Sequence, residues 1–328
     1  MSRIKKLSIL LFVFSIMSCS NSNDDSSNNE EKASVKDIYV CGYEKKSSTG
    51  RFIATVWKNG IATSLTNGTN NAVVNDVAVA GNDVYAVGFE EDANGVQTAR
   101  LWKNGLQASL PSTPGSLASK VVVNGENVYV LGRAIENNSY VQKMWKNGII
   151  STLPDDRRSI AVNNNNVYTV GLQDERARFW TNNTGSNLTN GDSYSAAHDI
   201  AVKGNDVYIV GVEVINKISV AKLWKNGVAS DLSDGKFTSV ATNISVVGND
   251  VYILGYENNL GTNSKVWKNG EVIWSKEKFS SNDLEAVGQD FYLLDNTDHK
   301  AKILKNGVPE DLSSAINSYA NSLFITAN

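Results

Sequence analysis

The sequence predicts an all-β protein: a seven-bladed β-propeller of four-stranded antiparallel blades, closed by a C-terminal strand that completes the first blade. Two observations lead to this prediction. A pair of short elements recurs seven times over residues 37–328, and about 42 residues per copy is a period typical of propeller blades. The N-terminal copy also lacks its first strand, and the C-terminus supplies a segment that matches the missing strand.

Each copy contains a tyrosine element and a tryptophan element. In the second copy they read Asp-Val-Tyr-Ala-Val-Gly (83–88) and Trp-Lys-Asn-Gly (102–105). The tyrosine element recurs at Tyr39, Tyr85, Tyr129, Tyr168, Tyr208, Tyr252 and Tyr292. The tryptophan element recurs at Trp57, Trp102, Trp145, Trp180, Trp224 and Trp267, with Leu304 in the seventh place. The fixed strand position of these tryptophans predicts packing between blades, with sugar stacking as the alternative.

The fifth copy shows how one unit forms four strands. Strand A is the alternating segment at 200–203, which ends in a Gly-Asn turn, and strand B is the apolar run at 207–210. Strand C ends at Trp224, and Asn226-Gly227 leads into strand D at 228–232. Asn-Gly supplies the positive φ angles that a two-residue type I′ hairpin turn requires.

The two ends of the repeat region predict a closed ring. The first copy starts directly at strand B, at 37–40, and residues 320–328 align with the strand A segment at 197–205. A C-terminal strand A that pairs with the first strand B removes sheet edges that would otherwise invite aggregation. Residues 37–328 are therefore predicted to form one propeller domain.

The N-terminal residues have the pattern of an export signal. Arg3, Lys5 and Lys6 form a basic start, and residues 7–17 form an apolar core too short to span a bilayer. The next residues complete Ile-Met-Ser-Cys, which ends at Cys19 and resembles the lipobox of bacterial lipoproteins. In that family the cysteine becomes a lipidated N-terminus. The resemblance implies a signal peptide at 1–18 and lipid attachment at Cys19; the alternative is an ordinary secretory signal with an incidental cysteine.

Residues 19–36 are predicted to be the lipidated cysteine and a disordered tether, because they are polar and of low complexity. The acidic pairs at 24–25 and 30–31 resemble those of Bacteroidetes-type lipoproteins exported to the cell surface. This resemblance implies a lipid-anchored outer-membrane protein exposed at the cell surface, with the periplasmic face as the alternative. Without residues 1–18 the 31 basic residues fall to 28 against 34 acidic ones, so acyl chains rather than charge would hold it to the membrane.

The repeats carry a second resemblance. Trp-Lys-Asn-Gly and Gly-Asn-Asp-Val-Tyr-x-Val-Gly resemble the elements of repeat lipoproteins from Bacteroidetes-type bacteria, over essentially the whole of residues 37–328. The resemblance implies the propeller architecture. It implies no activity, since propellers host many unrelated functions.

Composition excludes several classes of function. Two cysteines exclude a disulfide scaffold and a Cys-rich zinc module, and a net charge of −3 argues against a nucleic-acid binder. The two histidines, His198 and His299, lie about a hundred residues apart, which argues against a His-rich metal or base cluster. No dinucleotide, P-loop or zinc-protease motif occurs, so no cofactor and no metal are predicted. The propeller is predicted to be monomeric.

Strand order divides the connections between two faces. The turn face carries the A–B turns and the C–D turns, such as 204–205 and 226–227, which are nearly identical in every copy. The loop face carries the B–C loops, such as 44–51 and 90–97, and the D–A connections, which vary. Variable loops on a rigid scaffold are where binding usually occurs, so we expect the ligand on the loop face over the central channel. The alternative is that the loops differ in sequence because they have no function.

Six residues are candidates for the ligand face. Four glutamates follow strand B and could form an acidic set at the channel mouth, or be solvated strand-end residues. The candidates are Glu44, Arg51, Glu90, Glu213, Glu257 and Trp274. The aspartates beside the A–B turns lack the spacing of a calcium loop and are predicted to stabilise the turns.

Three classes of function remain. The leading hypothesis is a binding or interaction propeller for a glycan or a protein. The alternatives are a structural envelope module without a small ligand, and a hydrolase or lyase with its site at the channel mouth. Catalysis is disfavoured because no G-x-S-x-G elbow accompanies His198, and because Cys41 occupies a position that other copies fill with apolar residues.

Overall fold

A computed structural model describes residues 34–47, 50–259, 261–313, 315 and 317–328 of the chain. These residues form seven four-stranded antiparallel sheets arranged as a ring, which confirms the predicted fold. One 3₁₀ turn, Thr297–His299, is the only helical element among them. No helix in this part of the chain has the length and apolarity needed to cross a membrane.

Each blade runs from an inner strand A to an outer strand D. Blades 1 and 2 contain β28 (Asn317–Ala327), β1 (Val35–Lys45), β2 (Ile53–Lys58) and β3 (Ile61–Ser64), and then β4 (Ala72–Ala80), β5 (Asp83–Glu91), β6 (Gln97–Lys103) and β7 (Leu106–Ala108). Blades 3 and 4 contain β8 (Ser116–Asn124), β9 (Asn127–Glu136), β10 (Ser139–Lys146) and β11 (Ile149–Leu153), and then β12 (Asp156–Asn163), β13 (Asn166–Gln173), β14 (Arg176–Thr181) and β15 (Thr184–Asn187).

The remaining three blades follow the same order. Blade 5 contains β16 (Ser195–Lys203), β17 (Asp206–Ile215), β18 (Ile218–Lys225) and β19 (Val228–Asp231). Blade 6 contains β20 (Thr238–Val247), β21 (Asp250–Asn258), β22 (Thr262–Lys268) and β23 (Glu271–Glu277). Blade 7 contains β24 (Leu284–Val287), β25 (Asp290–Asp295), β26 (Lys302–Lys305) and β27 (Val308–Asp311).

Strand β28 closes the ring as its sequence predicts. It pairs antiparallel with β1 from Val35 opposite Ala327 to Lys45 opposite Asn317. The N-terminal strand therefore begins at Val35, two residues before the predicted domain boundary, because Val35 already has a partner on β28. The two strands place the described ends of the chain together on the turn face, where the Asn328 amide donates to the Ser34 carbonyl at 3.0 Å.

The tryptophan series lies between neighbouring blades. Trp102 packs against Tyr39 and Cys41 of blade 1, and Trp145 packs against Val87 of blade 2. Each tryptophan of the series is at most 2% exposed. Side chains of this size remove roughly 150–250 Å² from water when buried, so these contacts are a large part of what holds adjacent blades together. The predicted packing role is confirmed.

Trp274 belongs to the one blade interface that lacks the regular tryptophan. Leu304 stands there instead, fully buried. Trp274 lies on the outer strand β23 and packs edge-on against Phe279, with ring centroids 5.6 Å apart, and against Phe291 at 6.3 Å. The two additional aromatic rings, Trp274 and Phe279, belong to the cluster around Leu304.

The Asn-Gly turns are bonded to the start of strand B. In blade 2 the Asn104 side chain accepts from the Val84 amide at 2.8 Å and donates to Asp83 at 2.7 Å. Asn104 and Gly105 both have positive φ, as a type I′ turn requires. The aspartates beside the A–B turns therefore stabilise the C–D turns, not the A–B turns for which this role is predicted; Asn127 and Asn166 take their place in blades 3 and 4.

Candidate functional site

The central channel is lined by one polar residue from each inner strand. In blades 1 to 6 this residue follows a β-bulge, and in blade 7 it directly precedes β24. The seven equivalent residues are Ser322, Asp76, Lys120, Ser159, Asp199, Asn243 and Asp283. Six of them stand nine positions before the strand B tyrosine of their blade, a spacing that is less conspicuous in the sequence than the repeated tyrosines and tryptophans. Ser322 lies on β28, which pairs with the strand of Tyr39.

Three carboxyl groups of this ring bind the next blade. Each accepts a backbone N–H from the free edge of the neighbouring inner strand, which satisfies a donor that has no partner within its own sheet. The bonds join Asp76 to Val121 at 2.7 Å, Asp199 to Ile244 at 2.9 Å and Asp283 to Leu323 at 2.9 Å. These aspartates therefore fasten blade 2 to 3, blade 5 to 6 and blade 7 to 1.

The bulge residues make a second set of bonds between blades. Three of them, and Asn282 at the equivalent position before β24, contact the carbonyl of an alanine or valine on the next inner strand. The pairs are Asn75 with Ala118 (2.7 Å), His198 with Ala241 (3.0 Å), Asn282 with Ala320 (3.0 Å) and Asn321 with Val74 (2.7 Å). His198 is thus held in an architectural contact, and burial lowers its pKa.

A cavity of about 220 Å³ occupies the channel between the polar ring and the turn face. Lys120 reaches into it, with its Nζ 3.8 Å from Asp76 Oδ1 and about a third of its side chain exposed. The Asp76 carboxylate raises the pKa of Lys120, while burial raises the pKa values of Asp76 and Asp199. Burial, together with the neighbouring Asp283 carboxyl, raises the pKa of Glu285 to about 8.

Replacing Glu285 with Gln should flatten the pH dependence of stability. A carboxyl with a pKa of about 8 when folded and an ordinary value of 4.5 binds an extra proton in the folded state between those pH values. Stability conferred by that proton is present below pH 4.5 and is lost as pH rises through 8. We expect Glu285→Gln to be more stable than the wild type by roughly 2–3 kcal/mol at pH 9, and to match it near pH 5.

Urea unfolding of both proteins at pH 5, 7 and 9 measures this difference. Glu126→Gln is the matched control, because Glu126 is exposed at an A–B turn away from the cavity. Parallel pH profiles for Glu285→Gln and the wild type would show that Glu285 ionises as readily in the folded protein as in the unfolded chain.

The loop face carries the exposed aromatic rings. Among the described residues, three aromatic side chains are strongly exposed: Tyr140 (65%), near the loop-face start of β10, and Tyr194 (41%) and Phe237 (40%), on D–A connections. In five blades the exposed side chain that begins the outer strand on the turn face is aliphatic instead. Exposed aromatic rings on variable loops are a feature of surfaces that bind ligands.

Tyr140 stands at a groove of about 440 Å³ between the loop-face end of β10 and the connection to blade 4. The Arg133 guanidinium lies 4.2 Å from the Tyr140 ring centre and covers one face of the ring. Across the groove, the Gln142 amide donates to Asp156 at 3.0 Å, and Asp155 lies beside it. The groove thus combines an exposed ring with an amide, a guanidinium and two carboxyl groups.

The four glutamates predicted as a channel-mouth set are bound within their own blades. Glu90 pairs with Arg100 at 3.2 Å, Glu213 with Lys222 at 3.0 Å, and Glu257 with Lys265 at 2.8 Å. Glu44 accepts from Trp57 Nε1 at 3.3 Å and from the Ser313 hydroxyl. The structure does not bring them together at the channel, which the inner strands line. Their part in ligand binding stays a prediction.

The other candidate residues lie apart from the groove. Arg51 is exposed before β2 on the loop face, Trp274 is in the blade 6–7 contact, and Cys19 lies outside the described residues. Cys41 is fully buried as predicted, and burial raises the pKa of its thiol. In the described part of the chain, no three His, Cys, Asp or Glu residues are placed to hold a metal ion.

Comparison with known proteins shows the fold. No family model matches the sequence, and no curated protein matches it. The chain is similar to a puromycin-hydrolysing peptidase of Mycobacterium tuberculosis, with a TM-score of 0.57 and 10% identity over 88% of this chain and 52% of the peptidase. It also matches TolB from Acinetobacter baumannii, with a TM-score of 0.43 and 9% identity over 72% of this chain and 65% of TolB. The chain spans about half the length of the peptidase, and at this identity the likeness shows the fold alone.

Proposed function

We propose that this protein is a lipid-anchored envelope protein, exposed at the cell surface, whose propeller binds a glycan on its loop face. The observation that carries the proposal is the groove at Tyr140, where an exposed aromatic ring lies beside hydrogen-bonding side chains at the loop face. The lipobox ending at Cys19 and the acidic residues that follow it support the anchor and the location.

A carbohydrate fits the chemistry of this groove. One face of the Tyr140 ring is covered by Arg133, so the other face can stack against the C–H groups of a sugar ring. Arg133 and Gln142 offer N–H donors, and Asp155 and Asp156 offer acceptors, for hydroxyl groups at the edge of that ring. A small mixed groove of this kind suits a sugar better than the broad apolar contact of a stable protein complex.

Tyr140→Ala should weaken glycan binding about tenfold or more, because an anchoring aromatic side chain commonly carries that share of the binding energy. A glycan array probed with the full chain identifies a ligand, and titration of that glycan measures the loss. Tyr140→Phe should retain affinity, because it keeps the ring.

Tyr194→Ala is the matched control, since Tyr194 is an exposed loop-face tyrosine in the connection to blade 5. If Tyr140→Ala and Tyr194→Ala bind the array ligand as tightly as the wild type, the site is not the Tyr140 groove. If a pull-down finds a protein ligand and the array is empty, the glycan assignment is wrong.

A further inference from the structure

The turn face carries a ring of exposed aliphatic side chains that the glycan site does not use. In every blade one residue follows the C–D turn and begins the outer strand. In five of the seven blades it is Ile, Leu or Val with 70–76% of its surface exposed: Ile61, Leu106, Ile149, Val228 and Val308. Thr184 and Glu271 take the position in blades 4 and 6. The same structural position thus carries an exposed aliphatic residue in five blades. This repetition indicates a surface that contacts a partner.

Four of these residues form a continuous arc. Val308, Ile61, Leu106 and Ile149 belong to blades 7, 1, 2 and 3, which are consecutive around the ring. We call these four residues the aliphatic arc. The N-terminal strand β1 belongs to blade 1 and starts at the turn face, so the chain that leads back to Cys19 enters within the arc.

Apolar grooves accompany the arc on the same face. One, of about 190 Å³, lies between blades 1 and 2 and is lined by Leu65, Trp102 and Gly105 among others. Another, of about 310 Å³, lies between blades 2 and 3 and is lined by Leu110, Trp145 and Ile149 among others. The face therefore offers both projecting aliphatic side chains and apolar grooves beside them.

Three of the four lysines that precede the Asn-Gly turns of the arc are paired with aspartates, and the fourth, Lys146, lies over the Tyr129 ring. The pairs are Lys58 with Asp37 at 3.0 Å, Lys103 with Asp83 at 2.7 Å and Lys305 with Asp290 at 2.8 Å. Such a face has no strong attraction for an anionic surface, yet its projecting side chains can enter an apolar one. Isolated aliphatic side chains separated by polar turns also lack the continuous apolar centre of a protein interface.

We propose that the aliphatic arc rests on the membrane that holds the lipid anchor, so that the turn face lies against lipid and the loop face points away from it. This rests on the proposed lipid attachment at Cys19. From Cys19 to Ser34 the chain can extend at most about 50 Å, which keeps the domain near the bilayer and the arc nearest to the anchor. Acyl chains and a few interfacial side chains then act together, as stable membrane association requires.

A dye placed at Leu106 tests this arrangement. The lipidated full chain carrying Leu106→Cys is labelled with an environment-sensitive maleimide and reconstituted into phosphatidylcholine vesicles. Cys41 is fully buried and Cys19 would carry lipid, so the introduced thiol takes the label. We expect blue-shifted emission and about two- to threefold quenching by brominated acyl chains, because interfacial apolar side chains lie at the acyl boundary.

Ala93→Cys is the matched control, since Ala93 is exposed in the B–C loop of the same blade on the opposite face. A dye at this position should show the emission maximum of the dye in water. Adding Ile61→Ser, Ile149→Ser and Val308→Ser to the labelled Leu106→Cys chain should abolish the blue shift. The three changes should leave stability unchanged, because all three side chains are at least 70% exposed.

Three outcomes would overturn the proposal, and they differ from one another. Water-like emission at both sites, from a chain that stays with the vesicles, refutes the contact of the aliphatic arc with lipid and agrees with the lipid anchor. A blue shift that bromine does not quench and that grows with protein density means that a second copy covers the arc. A Cys19→Ala chain that fractionates with membranes as the wild type does refutes the anchor itself.

Discussion

Asp283→Ala should destabilise the propeller by about 3–5 kcal/mol, because it leaves several buried donors without an acceptor. Asp283 is 8% exposed and faces four hydrogen-bond donors from three blades, of which the Ser322 hydroxyl also lies 2.7 Å from Asp76 Oδ1 and has one proton for the two carboxyl groups. Its donors are Asn243 Nδ2 (2.9 Å), the Leu284 amide (2.9 Å), the Ser322 hydroxyl (2.7 Å) and the Leu323 amide (2.9 Å). Two of them lie on β28, the strand that closes the ring.

Urea unfolding followed by tryptophan fluorescence measures the loss, since the tryptophans lie between blades. Asp234→Ala is the matched control: Asp234 pairs with Lys236 at 2.6 Å on the surface, and its loss should leave the unfolding midpoint unchanged. Asp283→Asn should fall between Asp283→Ala and the wild type, because the amide keeps one acceptor oxygen. A midpoint for Asp283→Ala equal to that of the wild type would mean that water replaces the carboxyl group without cost.

The architecture could be predicted from the sequence because the repeat shows both the hairpins within each blade and the number of blades. Asn-Gly turns define hairpins locally in six blades, Asn182-Asn183 takes their place in blade 4, and the sevenfold recurrence of the hairpin sets the blade count. Residues 320–328 could be recognised as a strand A because they match 197–205 over their whole length. Pairing of β28 with β1 then follows from the missing strand in the first blade.

The channel ring was missed because its members differ in chemistry. Asp76, Lys120 and Ser159 share a position but no side-chain type, so a search for repeated residues passes over them. Their spacing of nine residues to the strand B tyrosine would have identified them. Their bonds to neighbouring blades depend on the ring itself, which no single copy encodes.

The Tyr140 groove was only partly predictable. Variability of the B–C loops indicated the face. The stacking of Arg133 on Tyr140 joins the adjacent strands β9 and β10, and the approach of Asp155 from the next connection depends on how blades 3 and 4 meet. The four glutamates looked comparable in sequence, but a cation or other donor within reach in the same blade pairs with each of them.

Gly88→Ala should destabilise the propeller by about 3 kcal/mol or more, because overpacking against backbone leaves little room for relaxation. A Cβ at this position would lie 1.9 Å from the Val73 carbonyl oxygen, where β4 bulges towards β5. The glycine that ends the tyrosine element faces a bulge in this way in six blades. Blade 7 has Asp295 in its place and no bulge in β24, so glycine and bulge occur together.

Gly125→Ala separates this close approach from the general effect of replacing glycine. Nothing lies within 4 Å of a Cβ at Gly125, and its φ of +58° should cost about 1 kcal/mol. Urea unfolding of Gly88→Ala, Gly125→Ala and the wild type gives both values under one condition. Equal losses for the two variants would mean that β4 moves away from the new methyl group at little cost. A loss for Gly88→Ala several times larger would show that the bulge is held rigidly, because its residues are bonded to the next blade: Asn75 to Ala118 and Asp76 to Val121.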